Sequence, residues 1–297
     1  MYRAVCSCYL AGAYADYEVT SKMSYFITDV KKLYKSNLVR WMLLAMLIVM
    51  ILAPVSTYLQ EWRFFDTVGK NPFQYWLLMD SVNWGNKIYQ ALFCAFPVLS
   101  TGLVYYNEKH SSVYNLLISR GHKGMYYLAK MCSTFWVTFF NFTVLFLINI
   151  FVTYLIFPID APQTEYYGYL IPKVEMFSYV FYEKNPLYMV FLYVFLNALA
   201  IALNSLIVLA AHEIIPLKNR YLALLVPFIL LYLLKYLVGM AQAGCPNMNI
   251  NVIIQPQAAS ALVNTIYMED VRLAFGILII FVIFLQGIGF LRNRESL

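Results

Sequence analysis

Charge is what this chain has least of: Asp, Glu, Lys and Arg make up 12% of its 297 residues, while 62% are hydrophobic. Soluble globular domains carry about a quarter charged residues, so the composition excludes a water-soluble fold. Cysteine is scarce too. Cys6 and Cys8 precede the first apolar run, Cys94 and Cys132 lie in or beside apolar runs, and Cys245 alone would face outward, so no disulfide framework is available. Cys6-x-Cys8 is too short for a zinc site, and no second pair follows it.

Several signatures of chemistry are also missing. The sequence contains no G-x-x-x-x-G-K-[ST] phosphate loop, no H-E-x-x-H and no G-x-S-x-G. His110, His122 and His212 fall in connections between apolar runs instead of clustering inside one. The expectation is a non-enzyme without catalytic residues, metal ligands or a cofactor of its own. The apolar runs also lack a carboxylate pair, which argues against an embedded hydrolase or a proton-coupled carrier.

What is present is length of apolar sequence. A spanning helix needs roughly 20 mainly apolar residues, and the runs at 41–59, 88–106, 131–157, 187–211, 221–240 and 273–291 meet that need. They are continuous, not alternating, which excludes a β-barrel. The fold class expected is an all-α integral membrane protein with six transmembrane helices. Residues 1–40 read as a cytoplasmic amino-terminal segment, and residues 41–297 as the transmembrane domain.

Positive charge is retained on the cytoplasmic side. Arg3, Lys22, Lys31, Lys32, Lys35 and Arg40 precede the first run, and Lys109, Arg120, Lys123 and Lys130 lie between the second and third. Lys218, Arg220, Arg292 and Arg294 fall on the same side, whereas most acidic residues fall on the other. The expected topology is a multi-pass protein of the cell (plasma) membrane with both termini cytoplasmic. The net charge of +6 is then topological and gives no support for nucleic-acid binding.

Ala4 to Tyr14 is too short and interrupted for a cleavable signal, and the coherent sequence starting at Met23 marks that residue as a candidate start codon. From there Phe26, Ile27, Val30, Leu33, Tyr34 and Leu38 fall on one helical arc, with Lys31, Lys32 and Lys35 opposite. The spacing predicts an interfacial amphipathic helix on the inner leaflet, its lysines near anionic headgroups of membrane lipids.

Between the second and third runs lies a charged island, Asn107 to Lys130. Ser111 and Ser112 can cap a helix, Val113, Leu116 and Leu117 share a face, and Gly121 can end it. The face bearing Lys109, Tyr114, Asn115 and Ser119 is expected toward the cytosol. A solvated loop is the plain alternative.

These residues resemble the type-2 ABC exporter membrane subunits, in which the second-to-third connection carries a glutamate, small residues, a leucine pair, an arginine, and a lysine entering the third span. Here those positions read Glu108, Ser111 and Ser112, Leu116 and Leu117, Arg120, and Lys130. The resemblance implies a coupling helix resting on ABC ATPase subunits, with Glu108, Ser111, Ser112, Tyr114, Leu116, Leu117 and Arg120 as contacts. ATP and Mg would sit on that partner, and a second permease subunit would complete a homodimer or heterodimer. It also implies short re-entrant helices between the fifth and sixth spans, where Val252 to Val263 is broken by Pro256. The cargo expected is amphipathic or lipid-like, including an antimicrobial peptide. A non-transporting scaffold or sensor that recruits a cytosolic partner is the alternative, followed by a secondary carrier.

Polar residues inside the runs are few and costly in hydrocarbon. Asn141 and Asn149 in the third, and Asn197 and Asn204 in the fourth, are expected either to pack helices or to line a pathway. Lys235 can snorkel to the interface, and Pro54, Pro97 and Pro227 are expected to kink their helices.

Overall fold

A computed structural model describes residues 25–61, 72–78, 84–111, 123–157, 185–217, 219–244 and 268–295. Among these residues there is no strand. In chain order the helices are α1 (residues 25–35), α2 (Asn37–Glu61), α3 (Pro72–Tyr75), α4 (Trp84–Leu92), α5 (Ala95–Lys109), α6 (Lys123–Ile156), α7 (Pro186–Ile214), α8 (Arg220–Gly244) and α9 (Met268–Glu295). Among the described residues five helices are long and apolar enough to cross a membrane, and there are six if α4 and α5 together form one broken span. This is a multi-pass membrane architecture. The candidate start at Met23, the connection at 158–184 and the re-entrant helices expected around Val252 to Val263 lie outside the described residues.

The expected second span, 88–106, is not one straight helix. It breaks at Phe93 and Cys94, and α4 and α5 meet at a 57° bend. Pro97 explains the break: lacking an N–H, it cannot bond the Phe93 carbonyl, and its ring crowds the preceding turn. A π-helical turn, Val98–Gly102, follows directly, with Ser100 and Thr101 hydroxyls donating to the Pro97 carbonyl at 3.2 and 2.7 Å. Around Pro54 and Pro227, by contrast, α2 and α8 continue unbroken.

α7 is the axis of the bundle. Of its most apolar stretch 89% is buried, against 17% in α8 and 33% in α2, α6 and α9, so the other helices pack around it and α8 lies outermost. Ala198, Ala200, Ala202, Ser205, Ala210 and Ala211 let neighbours approach closely, which suits packing where lipid offers no hydrophobic drive. Its limits follow from local sequence. Asn185 caps the start by accepting from the Leu187 N–H at 2.9 Å, with Pro186 in the first turn. Pro216 forces the preceding Ile215 into extended backbone (φ −100, ψ 125), and the helix stops at Ile214.

α2 and α6 are joined by a bond that the sequence disguises. Pro54 has no N–H, so the Met50 carbonyl loses its intrahelical donor. Asn149 supplies one from α6: its Nδ2 donates to Met50 O at 2.7 Å, while its Oδ1 accepts from the Leu77 N–H at 3.0 Å. Asn149 is fully buried, and its role is satisfaction of freed backbone groups. Asn197 on α7 instead takes up a side-chain hydroxyl, accepting from Tyr89 OH on α4 at 2.9 Å, while its Nδ2 donates to the Tyr193 carbonyl of its own helix at 2.9 Å. Asn204 is buried one face-repeat further along α7, and Asn141 accepts from Tyr34 OH at 2.8 Å.

α1 is helical as the periodicity predicts, but it presents a different side to the bundle. Leu33 is buried together with Asp29, whereas Ile27 and Tyr34 are each 43% exposed. A charge partner on α6 draws Asp29 inward and so sets the rotation.

Candidate functional site: a buried ion network at one end of the bundle

The carboxyl ends of α5, α7 and α9 and the amino end of α6 meet at one end of the bundle, and α1 closes over them. α6 runs 34 residues, about 50 Å at 1.5 Å per residue, whereas the hydrocarbon core needs only about 30 Å. Lys130 stands near the amino end of this helix, immediately before Met131, where the apolar run begins.

Lys130 is 1% exposed, the most deeply buried cation among the described residues. Its ammonium donates to Asp29 Oδ1 on α1 and, at 2.7 Å, to Glu108 Oε2 on α5. Ser133 donates to the other Asp29 oxygen, and Lys32 donates to Glu108 Oε1 at 2.6 Å. Two carboxylates and two ammonium groups therefore cancel. Such neutrality is required, because an unpaired charge removed from water costs several kcal/mol, roughly 3–5 when one partner is deleted.

A second pair adjoins the first. Glu213, near the end of α7, accepts from Tyr105 OH on α5 and from Lys109 Nζ at 3.0 Å. Lys109 also donates to the His212 carbonyl at 3.3 Å. The Tyr105 ring lies between the two groups, with its centroid 5.5 Å from Lys130 Nζ and 6.0 Å from Lys109 Nζ, close enough for a cation–π attraction. α9 joins through Gln286, which accepts from Tyr127 OH at 2.5 Å and donates to Leu206 O at 2.6 Å, and through Arg292, which donates to Ile214 O.

Several sequence expectations are corrected here. Glu108, expected on the partner-facing surface, is turned into the bundle, because Lys130 and Lys32 neutralise it there. Lys109, expected toward the cytosol, folds back on Glu213 for the same reason. His212, expected in a connection, lies in the last turn of α7 and is buried. Of the other island residues, Ser111 donates to the Glu108 carbonyl at 2.6 Å and so ends α5. Ser112, Tyr114, Leu116, Leu117 and Arg120 lie outside the described residues. Missing from the sequence reading were Asp29, Tyr105 and Glu213; the signal available for them was the pairing rule, since unlike charges next to apolar runs must find one another.

Gly102 shows how tightly α5 and α7 approach at this end. A Cβ there would lie 2.8 Å from His212 Nε2 and 2.9 Å from Val208 Cγ1. Gly102→Ala is therefore expected to destabilise by about 1–3 kcal/mol through overpacking. Gly276→Ala on α9, where the new Cβ meets nothing within 4 Å, is the control and should leave the thermal midpoint unchanged or slightly raised.

Among the described residues no group of three or more His, Cys, Asp or Glu side chains is arranged to hold a metal ion.

No protein-family model matches this chain, and neither a curated protein nor a solved structure shows significant similarity to it.

Proposed function

We propose that the chain is the permease subunit of an ATP-binding-cassette exporter, moving an amphipathic or lipid-like cargo across the cell membrane. The observation that carries this reading is the neutral ion network at the root of the island between α5 and α6. Glu108 and Lys109 tie that root to α1 and α6 through Asp29 and Lys130, and to α7 through Glu213. Since α7 is the axis against which other helices pack, a displacement applied at the island is passed to the bundle through bonded groups, without first crossing soft lipid-facing contacts.

In this reading Ser112, Tyr114, Leu116, Leu117 and Arg120 meet a cytosolic ATPase that holds ATP and Mg, and Glu108 anchors the island instead of touching the partner. A second permease subunit, the same chain or another, completes the pathway, and both termini are cytoplasmic. ATPase closure shifts the bundle only to the extent that it binds one arrangement better than the other.

The test is isolation of the protein from its native membrane in a mild detergent, with identification of accompanying chains by mass spectrometry. An ATPase bearing a Walker motif is expected in near-stoichiometric amount. Leu117→Asp with Arg120→Glu should lower its recovery at least about tenfold while the thermal midpoint holds, the loss expected on removing a central interface contact. Recovery of no ATPase, or recovery untouched by the double substitution, rejects the reading.

A further inference from the structure

We infer that the groove between α1 and α6 is a binding site for an anionic phospholipid, one acyl chain lying in the groove and the headgroup phosphate held at its rim. The groove has a volume of about 410 Å³ and is lined by Phe26, Val30 and Tyr34 of α1 and by Trp136, Val137 and Phe140 of α6. That volume falls within the range of small-molecule sites, roughly 300–1,000 Å³. Val137 is buried and forms the floor, whereas Trp136 and Phe140 are exposed on the wall, their rings stacked at 5.4 Å and 22°. The Tyr34 hydroxyl is engaged by Asn141, so the polar atom nearest the groove is already satisfied and the lining left to an occupant is apolar.

The order of residues around α1 specifies the charge of that occupant. Each step along a helix turns about 100°. Asp29 and Leu33 stand one step before the groove residues Val30 and Tyr34 and are buried; Lys31 and Lys35 stand one step after them and are exposed. The groove is thus flanked by the bundle on one side and by two lysines on the other. Lys31 and Lys35 have no ion pair among the described residues. The described carboxylate of α1, Asp29, is spent on Lys130 and Ser133 inside the bundle.

A third cation completes the rim. Arg40, at the start of α2, donates from Nε to the Tyr34 carbonyl at 2.8 Å, which holds its guanidinium at the Tyr34 end of the groove. Its terminal amino groups have no partner among the described residues, and a guanidinium fork matches the geometry of a phosphate. An uncharged cargo or a neutral lipid would fill the groove but leave three cations without a counter-charge. An anionic phospholipid satisfies both parts, and its two ends are separated as the groove and rim are.

The protein is purified full length, stripped of lipid in a neutral detergent, and titrated in native mass spectrometry with phosphatidylglycerol or phosphatidylcholine of identical chains. Wild type is expected to favour phosphatidylglycerol by about tenfold or more. K31Q/K35Q/R40Q should bring the two lipids within about twofold of each other, while K31R/K35R/R40K keeps the preference. Val30→Trp, which fills the groove, should weaken both lipids, and circular dichroism confirms that each variant is folded. Equal affinity in wild type, or a preference that survives the glutamine variant, overturns the assignment. Competition by free glycerol phosphate as strong as that by intact lipid would mean a headgroup site without the groove, and overturns it too. So does a Val30→Trp variant that turns a dimer into a monomer yet still binds lipid, since the groove would then belong to a second copy.

Discussion

Replacing Lys130 with methionine is expected to destabilise the protein by about 3–5 kcal/mol, because Asp29 and Glu108 are left facing each other in a closed space with only Lys32 to balance them. The loss is read as a lower midpoint of thermal unfolding in detergent and as reduced yield from the membrane. The same physics predicts its reversal. Asp29→Asn and Glu108→Gln, added to Lys130→Met, remove the buried charges together and should recover most of the stability, since a buried ion pair replaced whole is often neutral. A triple variant as unstable as the single one would show that volume, not charge, sets the cost. A single variant as stable as wild type would place Lys130 in water and dismantle the network.

The second large effect is expected at Asn149. Asn149→Leu orphans the Met50 carbonyl and the Leu77 N–H at once, at a cost of about 2–4 kcal/mol for two groups that find no water. The loss has a specific remedy: Pro54→Ala returns an N–H to α2, and that N–H can bond Met50 O within the helix. Pro54→Ala should therefore stabilise the Asn149→Leu background more than it changes wild type. A double-mutant cycle in thermal unfolding measures the difference, and additive effects would show that Asn149 does not compensate for the proline.

How much of this was legible before the fold is best seen in particular residues. The spans were, because roughly 20 apolar residues in a row have few other destinations, and the helix ends of α7 follow from Asn185, Pro186 and Pro216 alone. Pro97 was legible as a disturbance, but its size was not: the 57° break and the π turn depend on how α4 and α5 pack against their neighbours. Asn149 and Asn197 were legible as costly groups needing partners. Their partners on other elements, lying 72, 99 and 108 positions away, were not.

The island itself divides in the same way. Its charges, its capping serines and its place between two spans are local properties. Glu108 and Lys109 read locally as surface residues because nothing within a few turns competes for them. Only when α1, α6 and α7 converge do Lys32 and Lys130 come within 2.6 and 2.7 Å of Glu108, and Glu213 within 3.0 Å of Lys109, and turn these charges inward.

By itself, then, the sequence determined that this is a helical membrane protein and which apolar runs are long enough to span, because hydropathy acts over one helix at a time. The tertiary structure decided which faces turn inward, that α7 is the axis, and that the charges at one end form a neutral network. Those outcomes depend on pairs far apart in the chain: an ammonium buried in low dielectric must meet a carboxylate, and a carbonyl freed by proline must meet a donor, wherever in the chain these lie.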